Sequence, residues 1–324
     1  MKKATVRARS NIALIKYWGK APGRLNVPAV GSISLTLDAL WSETSIEFDA
    51  ALAEDVFLLD AVARPEQLTR ITPCLDLLRD LAGMTARASV ASHNNFPTGA
   101  GLASSASGFA ALVGAADAAL GLTLPARDLS RIARQGSGSA ARSIFGGFVQ
   151  MHAGTASDGS DSFAEPLLEG ADWPLNVVVA VTSRQEKAVG SGAGMTLSSR
   201  SSAYYPAWVE SHPADMEAAR AAISARDFEA LADVSELNCL KMHAAAMAAQ
   251  PPLVYFSGTT LDGIELIRGM RRRGVPVFFT VDAGPQVKAV CEPSAVAQVR
   301  SALEDLPGVL DVVVSELGPG LEVV

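Results

Sequence analysis

Residues 92–109 read SHNNFPTGAGLASSASGF. They connect a segment at 86–91, which we interpret as a short strand, to an alanine-rich apolar segment that continues to Leu120. This order predicts a glycine-rich loop that leads into a helix over residues 103–120. The amino-terminal end of a helix presents unpaired N–H groups and the positive end of the helix dipole, so the arrangement favours an anion such as phosphate.

Four small residues in this stretch are suited to phosphate binding. Gly99 and Gly101 allow the backbone to approach an anion closely, and Ser104 and Ser105 offer hydroxyls for phosphate oxygens or Mg²⁺. The common nucleotide-binding loop G-x-x-x-x-G-K-[ST] is absent, because no lysine follows Gly101. The alternative is a tight turn that caps a buried helix. For a single glycine-rich turn that alternative would be the better interpretation, but two further stretches indicate the same chemistry.

The first of these stretches follows a predicted strand at residues 4–15. Lys16 and Lys20 lie in the loop after this strand and can hold a polyanion as two point charges. Taken alone, two lysines are more often solvated surface residues. Tyr17 and Trp18 between them favour a cleft wall, because large aromatic side chains are unusual on a free surface.

The second stretch, GSGSAARSIFGG at 136–147, follows a predicted helix. Ser137, Ser139 and Arg142 would supply two hydroxyls and a guanidinium next to backbone N–H groups, which is a suitable donor set for an oxyanion. A helix-ending glycine followed by a flexible turn explains the same residues equally well.

Asp282 follows the apolar run VPVFFTV and precedes Ala283, Gly284 and Pro285. A carboxylate at the end of a buried strand is well placed in a cleft, where it could act as a base on a substrate hydroxyl. The alternative is an aspartate that stabilises a turn, which is common.

The bulk properties exclude several classes of function. The chain has 324 residues, of which 49% are hydrophobic, and a formal net charge of −7. This length predicts two domains or one large domain. The negative charge argues against general nucleic-acid binding and against a membrane surface, so an anionic substrate must be held by a local basic cluster.

Cysteine and histidine usage points to a cytosolic protein without a zinc site. The three cysteines, Cys74, Cys239 and Cys291, are far apart and predict reduced thiols. The four histidines lack metal-ligand spacing, and we interpret His93 and His243 as structural or surface residues. No apolar run is long enough to span a bilayer, and the first residues do not resemble a secretory signal.

The remaining elements predict an α+β fold. Further strands are predicted at residues 31–37, 42–48, 176–182, 275–281 and 308–315. Helices are predicted at residues 66–82, 126–135, 196–247, 261–273 and 293–305, with a polar loop at 155–173. A change of composition near residue 170 divides the chain into predicted domains 1–170 and 171–324.

Four stretches together resemble the diphosphomevalonate decarboxylase family of the GHMP kinase superfamily. They are NIALIKYWGK at 11–20, HNNFPTGAGLASSASGFAAL at 93–112, GSGSAARSIFGGF at 136–148 and DAGP at 282–285. The resemblance covers nearly the whole chain. It implies an N-terminal domain like ribosomal protein S5 domain 2, which binds ATP, and a ferredoxin-like C-terminal domain. It also implies conversion of mevalonate 5-diphosphate and ATP to isopentenyl diphosphate, ADP, phosphate and CO₂, with Mg²⁺.

The resemblance also implies a role for each site residue. Asp282 would be the catalytic base, with Lys16 nearby and Asn11 orienting Arg142. The residues that would bind mevalonate diphosphate are Tyr17, Lys20, Ser137, Ser139, Arg142 and Ser191. The residues that would bind ATP are Ser92, Asn94, Pro97, Gly99, Gly101, Leu102, Ala103, Ser104 and Ser105, and the last two would also contact Mg²⁺.

One position departs from the family pattern. Bacterial members often have arginine directly after the serine that matches Ser191, whereas this chain has Gly192. The absence of this arginine is compatible with a decarboxylase that acts on the 5-monophosphate. Two rival functions are a GHMP kinase that stops at phosphorylation and a non-catalytic ligand-binding regulator. Asp282 and the KYWGK stretch argue against the first, and the presence of Asp282, Arg142 and the two serines at 104–105 argues against the second. The resemblance further implies a cytoplasmic homodimer.

Overall fold

The computed structural model describes residues 3–21, 23, 25–96, 104–185 and 187–324. In these ranges the strands are β1 (Ala4–Ile15), β2 (Ser32–Asp49), β3 (Val56–Leu59), β4 (Val62–Ala63), β5 (Arg87–Asn94), β6 (Phe148–Met151), β7 (Ala164–Leu168), β8 (Asn176–Val181), β9 (Val277–Val281), β10 (Val287–Cys291), β11 (Asp311–Glu316) and β12 (Glu322–Val323). The α-helices are α1 (Leu68–Ala82), α2 (Ser104–Leu120), α3 (Ala126–Gly136), α4 (Ser191–Ser201), α5 (Tyr205–Ala225), α6 (Phe228–Met247), α7 (Gly258–Arg272) and α8 (Val296–Glu304).

The first sheet is built around the long strand β2. Its strand order is β12-β1-β2-β5-β3-β4, and β6 and β7 branch from the first part of β2. Residues 32–35 of β2 pair with β6, and residues 42–49 pair with β5. The sheet therefore forks along one strand. The ends of β1 and β5 both contribute residues to the cleft described below.

Helices α1, α2 and α3 cover one face of the first sheet. Alternate residues of β5 are buried against these helices, as expected for a strand with one solvated face. Helix α2 packs very close to the sheet because Gly114 has no side chain; an added Cβ would lie 3.0 Å from Val6. The small residue at position 114 therefore allows close packing of α2 against the sheet.

The second sheet has the order β11-β8-β10-β9, and all its pairs are antiparallel. Every residue of β8, β9 and β10 is buried, which explains their nearly continuous apolar sequences. Helices α7 and α8 pack on one face of this sheet. Helices α5 and α6 share a hydrophobic core with β1 and β2 and with strands of the second sheet, so they join the two halves.

The structure confirms the α+β class and most predicted elements, but it corrects three of them. Strands 31–37 and 42–48 are one strand, since the backbone of residues 38–41 continues the extended conformation. The predicted loop 155–173 contains β7, an edge strand that tolerates Pro166.

The predicted helix 196–247 is three helices. Helix α5 has a proline in its first turn, and it ends at Ala225, just before Arg226, whose φ is 54°. Helix α6 restarts at once because the Asp227 side chain accepts a hydrogen bond from the backbone N–H of Ala230. The two breaks, at residues 202–204 and 226–227, contain no glycine, and the sequence therefore predicts one helical region.

Candidate active site

A cleft of about 860 Å³ lies where the two sheets meet. The segments that line it include the end of β1, the start of α2, the start of α4, the loop after β9 and a 3₁₀ helix at Gly138–Ile144. Predicted site residues from both halves of the chain line it, namely Asn11, Lys16, Tyr17, Lys20, Ser92, Asn94, Ser104, Ser105, Ser137, Ser139, Arg142, Ser191 and Asp282.

Asp282 directly follows β9, and its carboxylate contacts two lysines. Oδ1 accepts a hydrogen bond from Nζ of Lys16 at 2.7 Å, and Oδ2 lies 3.2 Å from Nζ of Lys288. Burial alone would raise the pKa of Asp282, but the two ammonium groups outweigh it and hold that pKa well below its usual range. The carboxylate is therefore ionised at neutral pH.

Arg142 lies at the centre of a buried hydrogen-bond network. Its Nε and Nη2 donate to Oδ1 of Asn11 at 3.2 and 3.0 Å, and its Nη1 donates to Oγ of Ser32 at 2.6 Å. Burial lowers the pKa of Arg142 to about 10, although the negative charge of Asp282 opposes this shift. Asn11 thus fixes two of the guanidinium N–H groups and leaves others for an anion.

Three serine hydroxyls connect the two predicted anion-binding stretches. Oγ of Ser105, on the first turn of α2, lies 3.2 Å from Oγ of Ser137, which is 3.3 Å from Oγ of Ser139. The two predicted anion-binding stretches, which are about thirty residues apart in the sequence, therefore meet at one place in the cleft.

Tyr17 packs beside this serine cluster. An added Cβ at Gly138 would lie 2.3 Å from the Tyr17 hydroxyl, so only glycine fits at that position. Burial raises the pKa of Tyr17 to about 12, and its hydroxyl has no hydrogen-bond partner among the described residues. A buried hydroxyl in this condition fits a site that binds a polar ligand.

Lys20 and Ser191 lie near the start of α4. Nζ of Lys20 donates to Oδ1 of Asn26 at 2.6 Å, and burial together with the charge of Arg70 lowers the Lys20 pKa. An added Cβ at Gly192 would be 3.8 Å from Lys20 Nζ, so a side chain there would share space with Lys20.

The predicted ATP-binding residues are only partly covered by the structure. Ser92 and Asn94 lie on β5 and hydrogen-bond to Thr44 and Ser42 of β2. Ser104 is the first residue of α2. The remaining predictions fall outside the described residues: Pro97, Gly99, Gly101, Leu102 and Ala103.

The donor set on α2 suits a Mg²⁺ ion that is held mainly by phosphate. Within the described ranges, no three carboxylate, imidazole or thiol side chains are placed to form a metal cage. Mg²⁺ commonly takes one or two protein oxygens together with phosphate oxygens and water. The hydroxyls of Ser104 and Ser105, which line the cleft, fit that requirement.

Sequence reasoning missed three polar residues near the catalytic end of the cleft. Lys288 lies within an otherwise apolar strand, and this sequence context does not indicate a site residue. Lys187 donates to Oγ of Ser191 at 2.8 Å and to the carbonyl of Ala283 at 2.9 Å. Asn238 accepts a hydrogen bond from the backbone N–H of Lys16 at 2.7 Å. The only signal for Lys288 was a lysine within VKAVC, and the other two carried none.

The histidines are placed outside the catalytic contacts. His93 is exposed and pairs with Asp60 at 2.7 Å. His243 is buried, and its Nε2 lies 3.1 Å from the carbonyl of Val281. Burial lowers the pKa of His243 to about 3, so its ring is neutral. Over the described part of the chain, no helix is long and apolar enough to cross a membrane.

Comparison with known proteins identifies the class to which this fold and cleft belong. The family model described as diphosphomevalonate decarboxylase-like N-terminal domain matches residues 8–164, and that of the mevalonate 5-diphosphate decarboxylase C-terminal domain matches residues 177–312. Solved structures with a similar fold share the GHMP kinase architecture.

The similarity extends over the full length of solved relatives. A structure of mevalonate diphosphate decarboxylase from Staphylococcus aureus is 38% identical, with a TM-score of 0.92, over 100% of this chain and 98% of that chain. A solved complex with MVAPP, AMPPCP and magnesium is 41% identical, with a TM-score of 0.91, over 99% and 98% of the two chains. The Ganoderma lucidum diphosphomevalonate decarboxylase is 38% identical over 306 residues, which are 87% of this chain and 76% of that protein. This chain belongs to the diphosphomevalonate decarboxylase family.

Proposed function

We propose that the cleft catalyses the ATP-dependent decarboxylation of mevalonate 5-diphosphate to isopentenyl diphosphate, with release of ADP, phosphate and CO₂. The observation that carries this proposal is the ionised Asp282–Lys16 pair, which faces a cleft lined by Arg142 and the joined serine cluster. The arrangement combines a group that can act on a substrate hydroxyl with donors for two phosphate-bearing ligands. It occurs in a chain whose relatives are named for this reaction.

The substrate diphosphate binds at the end of the cleft where donors are concentrated. Lys20 and Arg142 supply positive charge, and Ser137 and Ser139 supply hydroxyls. Tyr17 adds its hydroxyl, which has no hydrogen-bond partner in the part of the chain that the structure describes, and the remaining predicted contact comes from Ser191. Because these donors come from both halves of the chain, they fix the substrate relative to Asp282.

ATP binds with its phosphates at the amino-terminal end of α2. The first N–H groups of α2 and the hydroxyls of Ser104 and Ser105 point to this part of the cleft. Bound there, Mg²⁺ would neutralise charge on the phosphate oxygens during phosphoryl transfer. Ser92 and Asn94 lie on the neighbouring strand and form the nucleotide side of the cleft.

Asp282 acts on the tertiary 3-hydroxyl of the substrate. It accepts a hydrogen bond from this hydroxyl and so orients the oxygen towards the transferred phosphoryl group. Since its pKa lies below the usual range, it is a weak proton acceptor, and orientation is its larger contribution. Phosphoryl transfer to this oxygen, with the hydroxyl proton leaving through Asp282, converts the hydroxyl into a leaving group. As phosphate departs, positive charge develops at C3, and cleavage of the C–C bond to the carboxylate releases CO₂ and supplies the electron pair of the new double bond.

A second candidate substrate is mevalonate 5-monophosphate. The supporting observation is Gly192, which contributes no side chain beside Lys20 at the anion-binding end. Four donors to a terminal phosphate remain in place, namely Lys20, Ser137, Ser139 and Arg142. We therefore expect the diphosphate to be preferred.

One assay separates these functions. Purified protein is incubated with ATP, Mg²⁺ and either the mono- or the diphosphate, and ADP and CO₂ are both measured. We expect equal amounts of ADP and CO₂, with a higher kcat/KM for the diphosphate. ADP without CO₂ would indicate a simple kinase, and no ADP would indicate a ligand-binding protein. A higher kcat/KM for the monophosphate would reassign the substrate.

The assembly and location of the protein are also proposals. The family resemblance supports a homodimer, which light scattering of the purified protein would test. Cys74, Cys239 and Cys291 are all buried free thiols, which is in keeping with a cytoplasmic protein. The division into domains 1–170 and 171–324 would be tested by limited proteolysis.

A further inference from the structure

Lys288 is the most deeply buried charged group at the cleft. It is the second residue of β10 and its exposed fraction is 0%. Its Nζ lies 3.2 Å from Oδ2 of Asp282, while Lys16 occupies Oδ1 of the same carboxylate. The carboxylate is thus held at both oxygens by lysines from different sheets.

The register of the second sheet explains how Lys288 reaches this carboxylate. Lys288 pairs with Thr280 on β9, two residues before Asp282. The neighbours of Lys288 on β10, Val287 and Ala289, point into the core beneath α7 and α8. Since successive side chains of a strand alternate, Lys288 points to the opposite face, where β1 and the cleft lie.

The burial of the Lys288–Asp282 ion pair bears on why a second lysine lies beside this carboxylate. A buried ammonium without a counter-ion is strongly unfavourable, and desolvation lowers the pKa of Lys288 while the charge of Asp282 raises it. Asp282 already has Lys16 as a partner, so charge balance does not require a second lysine. Lys16 and Lys288 bind opposite oxygens of one buried carboxylate, and this geometry fixes the orientation of that carboxylate.

Other groups around Asp282 do not duplicate the effect of Lys288. From the 3₁₀ helix, the charge of Arg142 acts on Asp282, but Arg142 is itself held by Asn11 and Ser32. From α6, Cys239 and His243 face the site, and burial favours the neutral form of each. Lys187 contacts the backbone carbonyl of Ala283.

We propose that Lys288 is a positioning residue that holds the Asp282 carboxylate in a fixed orientation and keeps it ionised during turnover. An ionised carboxylate has about four lone-pair sites. With one site on each oxygen used by a lysine, the carboxylate cannot rotate, and a remaining lone pair is presented to the substrate hydroxyl. The catalytic part of this inference rests on the proposed function. The interaction between Lys288 and Asp282 can be tested without measuring turnover.

The first experiment is a double-mutant cycle on stability with Lys288→Met and Asp282→Asn. Denaturant unfolding midpoints are measured for the parent, both single variants and the double variant. We expect Lys288→Met to unfold at or above the parent midpoint. Asp282→Asn should unfold earlier, because two lysines lose their counter-ion, and adding Lys288→Met should restore part of that loss. Strictly additive midpoints would overturn the proposal.

The second experiment is the pH profile of ADP formation at saturating substrate. Removal of a close opposite charge typically raises a carboxyl pKa by about 1–3 units. We therefore expect the acidic limb of kcat to move to higher pH in Lys288→Met, with kcat reduced and KM little changed. Val287→Ala, which shortens a core side chain on the same strand, should lower stability and leave the acidic limb in place.

The remaining outcomes are also decisive. An unshifted acidic limb in folded Lys288→Met would overturn the proposal, as would failure of both Lys288→Met and Lys288→Gln to fold, since Lys288 would then serve the core. If the parent releases no CO₂, the proposed function fails while the stability cycle still decides the role of Lys288.

Discussion

Lys16 and Asp282 are separated by 266 positions in the chain, yet their side chains form a 2.7 Å hydrogen bond in the cleft. Lys16 follows the first strand of the first sheet, and Asp282 follows a strand of the second sheet. The reacting centre therefore exists only when both halves of the chain have folded and packed together. Helix α6 reinforces this contact, since Asn238 binds the backbone of Lys16.

Replacing Asp282 tests the reacting centre. In Asp282→Asn the amide keeps the size of the side chain but loses the charge that orients the substrate hydroxyl, together with its remaining basicity, so kcat should fall by about 10²–10⁴. KM for the substrate should change much less, because Lys20, Ser139 and Arg142 still hold the anionic end. The check is kcat of the folded variant beside Asp311→Asn, a surface substitution. Turnover within a few-fold of the parent would make Asp282 a turn residue.

The serines on α2 test the nucleotide site. We expect Ser105→Ala and Ser104→Ala to raise KM for ATP, while the free energy of unfolding falls by no more than about 0.5–2 kcal/mol. Ser107→Ala is the matched control, because its hydroxyl contacts Ser42 in the buried core at 2.7 Å. That control should lose stability and keep its ATP kinetics. If both α2 variants had parental kinetics, the phosphates would have to bind elsewhere.

Asn11 tests how the guanidinium of Arg142 is held. Asn11→Ala removes the oxygen that accepts two of its hydrogen bonds, so the free energy of unfolding should fall by about 1–3 kcal/mol. KM for the diphosphate should rise, because Arg142 loses its orientation. Ser143→Ala removes only a partner of the Asn11 amide and should have smaller effects on both quantities. Equal effects of the two variants would contradict this role of Asn11.

Two buried histidines predict a pH dependence of stability. Burial lowers the pKa of His212 to about 4 and that of His243 to about 3, from the ordinary value of 6.5. Between about pH 6.5 and 4 the unfolded chain binds protons at these histidines and the folded chain does not, so stability falls as the pH falls. Over this range, each histidine makes the free energy of unfolding fall by up to about 1.4 kcal/mol for each unit by which the pH falls.

Denaturant unfolding at a series of pH values checks this expectation. His243→Gln should reduce the slope between pH 6 and 4.5, a range above the ordinary pKa of aspartate. An unaltered slope in His243→Gln would mean that this ring is protonated equally in both states.

The parts of the fold and site that the sequence predicts are those with local signals. Continuous apolar runs identified β8 and β9, and the glycine–serine stretch at 136–147 drew attention to Ser137 and Arg142. Asp38 and its neighbours interrupt the apolar pattern of β2, so one strand was interpreted as two. Lys288 could not be assigned from sequence, because its meaning depends on a carboxylate brought close by sheet pairing.

The short strand β12 affects how the first sheet forms during synthesis of the chain. It pairs with β1, so β1 acquires this neighbour only after Glu322 and Val323 have been synthesised. Until then the edge of β1 presents unpaired backbone groups that other chains could bind. A nascent chain stalled near residue 170 would hold most of the first sheet with this edge open, and aggregation during synthesis would begin there.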